Sequence, residues 1–139
     1  MKAHIVNPED VPYLWEDVAP MLARVRQHSE GELETDDFLD NLMEGNMQLW
    51  VVTEGESIIV SMVTLMADYP QKKILRIVAL AGKDFKEVNK NFISMLEAYA
   101  IKNECSALEL WGRKGWKKML PDWKDSYIVF TKDLKERMH

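Results

Sequence analysis

Three apolar runs separated by short turns govern what this chain can fold into. They are "MQLWVVTEGE" (47–56), "SIIVSMVTLMADY" (57–69) and "ILRIVALA" (74–81). Glu54-Gly55-Glu56 joins the first to the second, and Tyr69-Pro70-Gln71-Lys72-Lys73 joins the second to the third. β-branched and apolar runs bounded by Gly- and Pro-bearing turns predict consecutive antiparallel strands. Their apolar residues are almost continuous instead of alternating with polar ones, as expected of central strands covered on both faces. The remainder of the chain must supply the covering layers.

Two amphipathic segments precede the runs. After a short strand, "AHIV", Asn7-Pro8-Glu9-Asp10 has turn chemistry with Asp10 as the expected N-cap. Leu14, Trp15, Val18, Met21, Leu22 and Val25 then fall on one helical stripe, with Pro20 inside it predicting a kink or a break. Thr35 is placed to cap a second helix that buries Phe38, Leu39, Leu42 and Met43 and stops at Gly45-Asn46. Beyond the runs, a long helix is expected over about residues 86–103, with Phe92, Leu96, Tyr99 and Ala100 inward. A short strand "ALELWG", a helical turn "GWKKMLP" and a closing strand "SYIVFTKDL" complete the order. The 139 residues suit a single domain, 1–139, in the α/β class: a mixed central sheet of about six strands with helices on both faces.

Composition removes several function classes. No apolar run approaches the roughly 20 residues that span a bilayer, and the opening "MKAHIVNPEDVPYLW" has no signal-peptide h-region. One cysteine, Cys105, suits a reducing compartment, so a cytoplasmic location is expected. His4, His28 and His139 are scattered, without metal-ligand spacing.

The element order resembles the GNAT (GCN5-related N-acetyltransferase) fold over nearly the whole chain, and "LWVVTEGESIIVSMVTL" is similar to that family's second and third strands with their hairpin. The tail "LELWGRKGWKKMLPDWKDSYIVFTKDL" resembles small GNAT-like proteins of tailed bacteriophages, in which Gly-Arg-x-Gly-Trp and a final Lys-x-Leu recur. The resemblance implies an N-acetyltransferase that takes acetyl-CoA in the gap where the fourth and fifth strands splay. The residues it places against acetyl-CoA are Leu80, Gly82, Lys83, Lys86 and Lys90. It equally allows a catalytically silent phage protein: a virion or assembly component, or an inhibitor of a host protein, found in the host cytoplasm or the virion.

The residues themselves depart from the family pattern. GNAT enzymes grip the CoA pyrophosphate with an Arg/Gln-x-x-Gly-x-Gly/Ala loop; aligned here, Lys83 stands for the Arg/Gln while Lys86 and Val88 occupy the small positions. Both carry a Cβ, which hinders close approach of a phosphate to the backbone. Asp84 and Glu87 have capping-box spacing, so the residue types favour a self-capped helix, with loose CoA binding by the lysines as the alternative. "ILRIVALA" has no carboxylate where many GNAT enzymes keep a general base, and "GRKGWKKMLPDW" has no Tyr to protonate a thiolate. Asp68, Glu109 and Tyr127 are the substitute catalytic candidates. Set against those roles, Asp68 and Tyr69 read as turn residues, Glu109 as a solvent-facing strand residue, and Tyr127 as a strand aromatic.

Charge is divided unevenly. Residues 1–70 hold fourteen acids and three bases, a net −11, and residues 71–139 hold nine acids and fifteen bases, a net +6. Arg113, Lys114, Trp116, Lys117 and Lys118 interleave bases with an aromatic, which suits a partner hot spot or stacking on nucleic acid, with core tryptophans behind a basic rim as the plainer reading. The acidic first half argues against unselective nucleic-acid binding.

Overall fold

Each of the three apolar runs forms a strand. The structure, a computed structural model, describes residues 2–26, 35–82, 85–110 and 122–124, with Lys132 and Leu134. Strands β1 (Lys2–Val6), β2 (Gln48–Glu54), β3 (Ser57–Tyr69), β4 (Lys72–Gly82) and β5 (Ala107–Leu110) lie side by side in that order. The first three pairings are antiparallel and the β4–β5 pairing is parallel. The described sheet has five strands against the six expected; "GWKKMLP" and "SYIVFTKDL" lie outside the described residues apart from Lys132 and Leu134.

Helices α1 (Val11–Arg26) and α2 (Thr35–Glu44) cover one face and α3 (Phe85–Lys102) the other. The split is visible along β2. Leu49 and Val51 pack with Val18, Leu22, Phe38 and Leu42, whereas Trp50 and Val52 pack with Phe92, Leu96 and Ala100. Both sheet faces are therefore dry, which is why the runs needed no polar alternation.

The helices differ from expectation at three points. Asp10 closes a 3₁₀ turn (Pro8–Asp10), donating its N–H to the Asn7 carbonyl at 2.9 Å, and α1 starts after it at Val11. Pro20 does not break α1; it lies on the exposed side, and the Glu16 carbonyl it leaves without an N–H partner belongs to an exposed residue that water can reach. Met43, expected inside, is half exposed, because Phe38 and Leu42 define the buried row and the Leu39–Met43 row runs along its margin.

Two one-residue bulges rephase the sheet. Val52 pairs with Val60 and Thr53 with Ile58, so Ile59 is extra on β3. Val63 pairs with Ala79 and Thr64 with Ile77, so Val78 is extra on β4. Ile59 and Val60 accordingly share the α3 face, and Val78 and Ala79 share the α1 face. An extra residue inverts the inside–outside alternation of everything after it. Leu80 thereby rejoins Leu75 and Ile77 in the core beneath α3.

Polar groups within this core are paired. Trp50 donates Nε1–H to Thr64 Oγ1 at 3.0 Å, and Thr64 donates to Gln48 Oε1 at 2.8 Å. The Tyr99 ring meets Trp50 edge-on with centroids 5.0 Å apart. α3 ends in a Schellman turn: Glu104 N–H bonds to the Ile101 carbonyl at 3.0 Å and Cys105 N–H to that of Ala100 at 2.8 Å. Cys105 is thereby tucked into the α3-side core.

Burial pushes the Cys105 thiol up from its ordinary 9.0; Lys73 pulls it back and Asp68 adds to the rise. Burial, and then the Cys105 charge, push the Tyr99 hydroxyl above its ordinary 10.0. Both groups are neutral in the fold, so their contribution is complete below the unfolded values and is lost as pH rises through the folded ones. Thermal melts from neutral to strongly alkaline pH should show stability falling above pH 9.0, and Cys105→Ala should flatten the first part of that fall.

Candidate active site

The β4–β5 junction is where the sheet changes character. Parallel pairing runs from Ile74–Ala107 to Ile77–Leu110, the last described pair, and the Val78 bulge follows at once. α3 leaves from the carboxyl end of β4 and returns the chain to β5. Ligands of open α/β sheets settle outside the carboxyl ends of parallel strands. Ser61, paired with Ala81 at this end, donates its hydroxyl to Met21 Sδ at 3.4 Å, so the second half of α1 lies alongside it.

Gly82 terminates β4, and its surroundings explain why it is glycine. A Cβ there would lie 2.4 Å from the Ile59 carbonyl oxygen and 2.7 Å from the Val60 Cα, both backbone atoms. Its φ of +150° is also a conformation that side chains disfavour. The space released by the missing side chain is filled by the β3 bulge, not left for a ligand. Gly82 is a packing glycine.

Of the other residues expected near acetyl-CoA, Leu80 is half-buried in the α3-side core. Lys86 and Lys90 fall in the first turns of α3, with side chains outside the described residues, and Lys83 lies outside them altogether. So do Tyr127, Arg113, Lys114, Trp116, Lys117 and Lys118.

The two described catalytic candidates lie apart. Glu109 is not a solvent-facing residue: its Oε1 accepts from Arg76 Nε at 2.6 Å, and the two side chains are only 23% and 17% exposed. Arg76 Nη2 donates to the Tyr69 hydroxyl at 2.7 Å, and that hydroxyl lies 3.4 Å from Glu109 Oε2. Lys72 Nζ stands 5.7 Å from the centre of the Tyr69 ring. Asp68 is exposed, pairs with Lys73 near the β3–β4 turn, and acts electrostatically on Cys105 on the α3 side. Asp68 and Glu109 thus face different groups on different sides of the sheet. Arg76 escaped sequence reasoning, although a lone charge inside "ILRIVALA" was the signal that a partner had to exist.

No protein-family profile matches the sequence, and no curated protein matches it. Solved structures do match the fold. An aminoglycoside acetyltransferase from an uncultured soil metagenomic sample, in complex with sisomicin, superposes over 96% of this chain and 96% of its own, with TM-score 0.71 and 12% identity. A probable acetyltransferase superposes over 99% and 100%, with TM-score 0.73 and 10% identity. A GNAT family acetyltransferase of Staphylococcus aureus subsp. aureus superposes over 96% and 98%, with TM-score 0.68 and 15% identity.

The chain has the GNAT fold. Identity of 10–15% shows a shared architecture and nothing of the side chains, so Gly82 under Ile59 and Arg76 against Glu109 are judged on their own contacts.

Two measurements test those contacts without any ligand. Gly82→Ala forces a Cβ into backbone and should cost about 1–3 kcal/mol in denaturant unfolding; an unchanged midpoint would show that β3 does not fill this space. A double-mutant cycle with Arg76→Met and Glu109→Gln should give a coupling of about 0.5–3 kcal/mol, as for a half-buried charged hydrogen bond. Additive effects would place the pair among exposed ions of little consequence.

Proposed function

We propose that this chain is an N-acyltransferase of GNAT type, moving an acetyl group from a thioester of the acetyl-CoA class to an amine at the carboxyl end of β4. The observation that carries this reading is the GNAT-fold sheet, in which β4 and β5 pair in parallel from Ile74–Ala107 to Ile77–Leu110 and α3 makes the crossover between them. The thioester supplies the activated acyl carbon. In the transfer a C–N bond forms and a C–S bond breaks; the amine gives up a proton and the sulfur gains one.

What the chain offers is position. The bulge turns Val78 and Ala79 to one face and returns Leu80 to the other, so the strand end is held by core packing on both sides. The amine must be neutral to attack. β4 has no carboxylate to receive its proton, and Glu109 already accepts from Arg76 Nε at 2.6 Å. Deprotonation by solvent is the step that fits these residues. The rate should therefore rise with pH until the acceptor amine's own pKa is passed, whichever amine is used, and Glu109→Gln should leave the shape of that profile intact. A profile fixed at one pKa across acceptors would identify a protein base.

A second reading, a GNAT-fold phage protein without turnover that acts in virion assembly or on a host protein, is favoured by one observation: the glycine at the strand end is spent on β3. Acetyl-CoA binding separates the two. Ligand at 100 times its dissociation constant should add about 2.7 kcal/mol of stability. No shift in melting temperature, no heat and no acetylated product would overturn the acyltransferase reading in favour of the silent one.

A further inference from the structure

Three exposed apolar side chains gather where β1 runs into α1. Of the six large hydrophobic residues exposed among the described ones, Ile5 (37%), Tyr13 (84%) and Met43 (50%) line two neighbouring hollows. The first is formed by Pro8, Glu9 and Pro12 with Met43 from the end of α2. The second is bordered by His4, Ile5, Asp10 and Tyr13. Asn7 belongs to both, so they meet at the 3₁₀ turn. His4 and Ile5 point to opposite faces of β1, and the second hollow therefore lies along the outer edge of that strand. Described residues line both hollows throughout.

The core does not account for Tyr13. Val11, Leu14, Trp15, Val18 and Leu22 make the inward contacts of α1, and Tyr13 stands outside that stripe. A contiguous group of exposed apolar residues marks an interaction surface. Its surroundings are acidic. Asp10 shares the Tyr13 hollow, and Glu16 and Asp17 follow Tyr13 at helical neighbour spacing. Asp40 and Glu44 flank Met43 on α2, and both are exposed. The exposed basic residues described on β1, α1 and α2 are Lys2, His4 and Arg24. A tyrosine ring beside a carboxylate receives a guanidinium or an ammonium, which the ring face attracts and the acid neutralises. Nucleic acid and anionic lipid are repelled by the same charges. Both hollows are open to solvent, which suits a peptide laid across them better than an enclosed small molecule.

We propose that this edge docks a basic peptide segment of a partner protein. An Arg or Lys of the partner seats against Tyr13 and Asp10, and a neighbouring apolar side chain enters the hollow at Met43. β1 and β5 are the opposite outer strands of the described sheet, so this docking goes beyond acyl transfer and does not depend on it.

Fluorescence anisotropy on the full chain tests it with three labelled synthetic peptides of equal length: one alternating Arg and Leu, one with Glu in place of Arg, and one with Ser in place of Leu. The Arg–Leu peptide should bind saturably and more weakly as salt rises, and the other two should bind at least about 10-fold more weakly. Tyr13→Ala should lower affinity about 10-fold and Tyr13→Phe less than about 2-fold, because the phenyl ring keeps its attraction for the cation. Both variants should keep the parent melting temperature, since Tyr13 is 84% exposed. Absence of saturable binding at about 1 mM peptide, equal binding of the Glu or the Ser peptide, or unchanged affinity in Tyr13→Ala would overturn the inference. Sedimentation velocity of the chain alone tests the competing occupant. A monomer is the expected result, and a dimer that Tyr13→Ala dissociates would assign the surface to a second copy and overturn the docking of a partner peptide.

Discussion

Where β3 bulges at Ile59, its backbone closes over Gly82 to a distance that no side chain at that position could survive. This contact joins the hairpin end of β3 to the carboxyl end of β4, the strand from which α3 departs. It fixes where the parallel crossover begins and therefore where α3 lies on the sheet. The second bulge, at Val78, acts four residues earlier along β4, next to the last described pair with β5. Together the two irregularities let an uninterrupted apolar strand serve two cores while changing which residues face each. Regular pairing throughout would put Leu80 on the opposite face from Leu75 and Ile77.

The polar groups follow the same economy. Trp50, Thr64 and Gln48 form a chain of hydrogen bonds inside the α3-side layer, so no donor of Trp50 is stranded by burial. Arg76 is carried on a central strand and could not remain there without a counter-charge; Glu109 on the parallel neighbour supplies it, with the Tyr69 hydroxyl as a further acceptor. A carboxylate with that duty is a structural tie between β4 and β5 and is poorly placed to serve as a proton acceptor. For the acyl transfer proposed above, the consequence would be a site that aligns the reactants and leaves proton removal to the solvent.

Much of this architecture was legible in the sequence, because its signals are local. The separators at Gly55 and Pro70 bound the strands as expected, the stripes through Val18, Leu22, Phe38, Leu42, Phe92 and Leu96 are buried, and Gly45-Asn46 closes α2. The bulges were not legible. In a run that is apolar at nearly every position, an inserted residue leaves no phase error to detect. Pro20 does not break α1, because a helix tolerates proline where the freed carbonyl meets water, and exposure is a tertiary property. Gly82 was legible as an unusual residue but not in its role. A glycine needed for phosphate and a glycine needed for a neighbouring strand look alike until the neighbour is placed. Glu109 was likewise visible as a carboxylate, while its partner Arg76, thirty-three residues away, was not.

A crystal structure of the chain grown with acetyl-CoA tests this account most directly. Density for the acetyl thioester at the carboxyl end of β4, with Ile59 still closed over Gly82, is the expected result. No thioester density at that strand end, or β3 withdrawn from Gly82 to admit the ligand, would contradict the account.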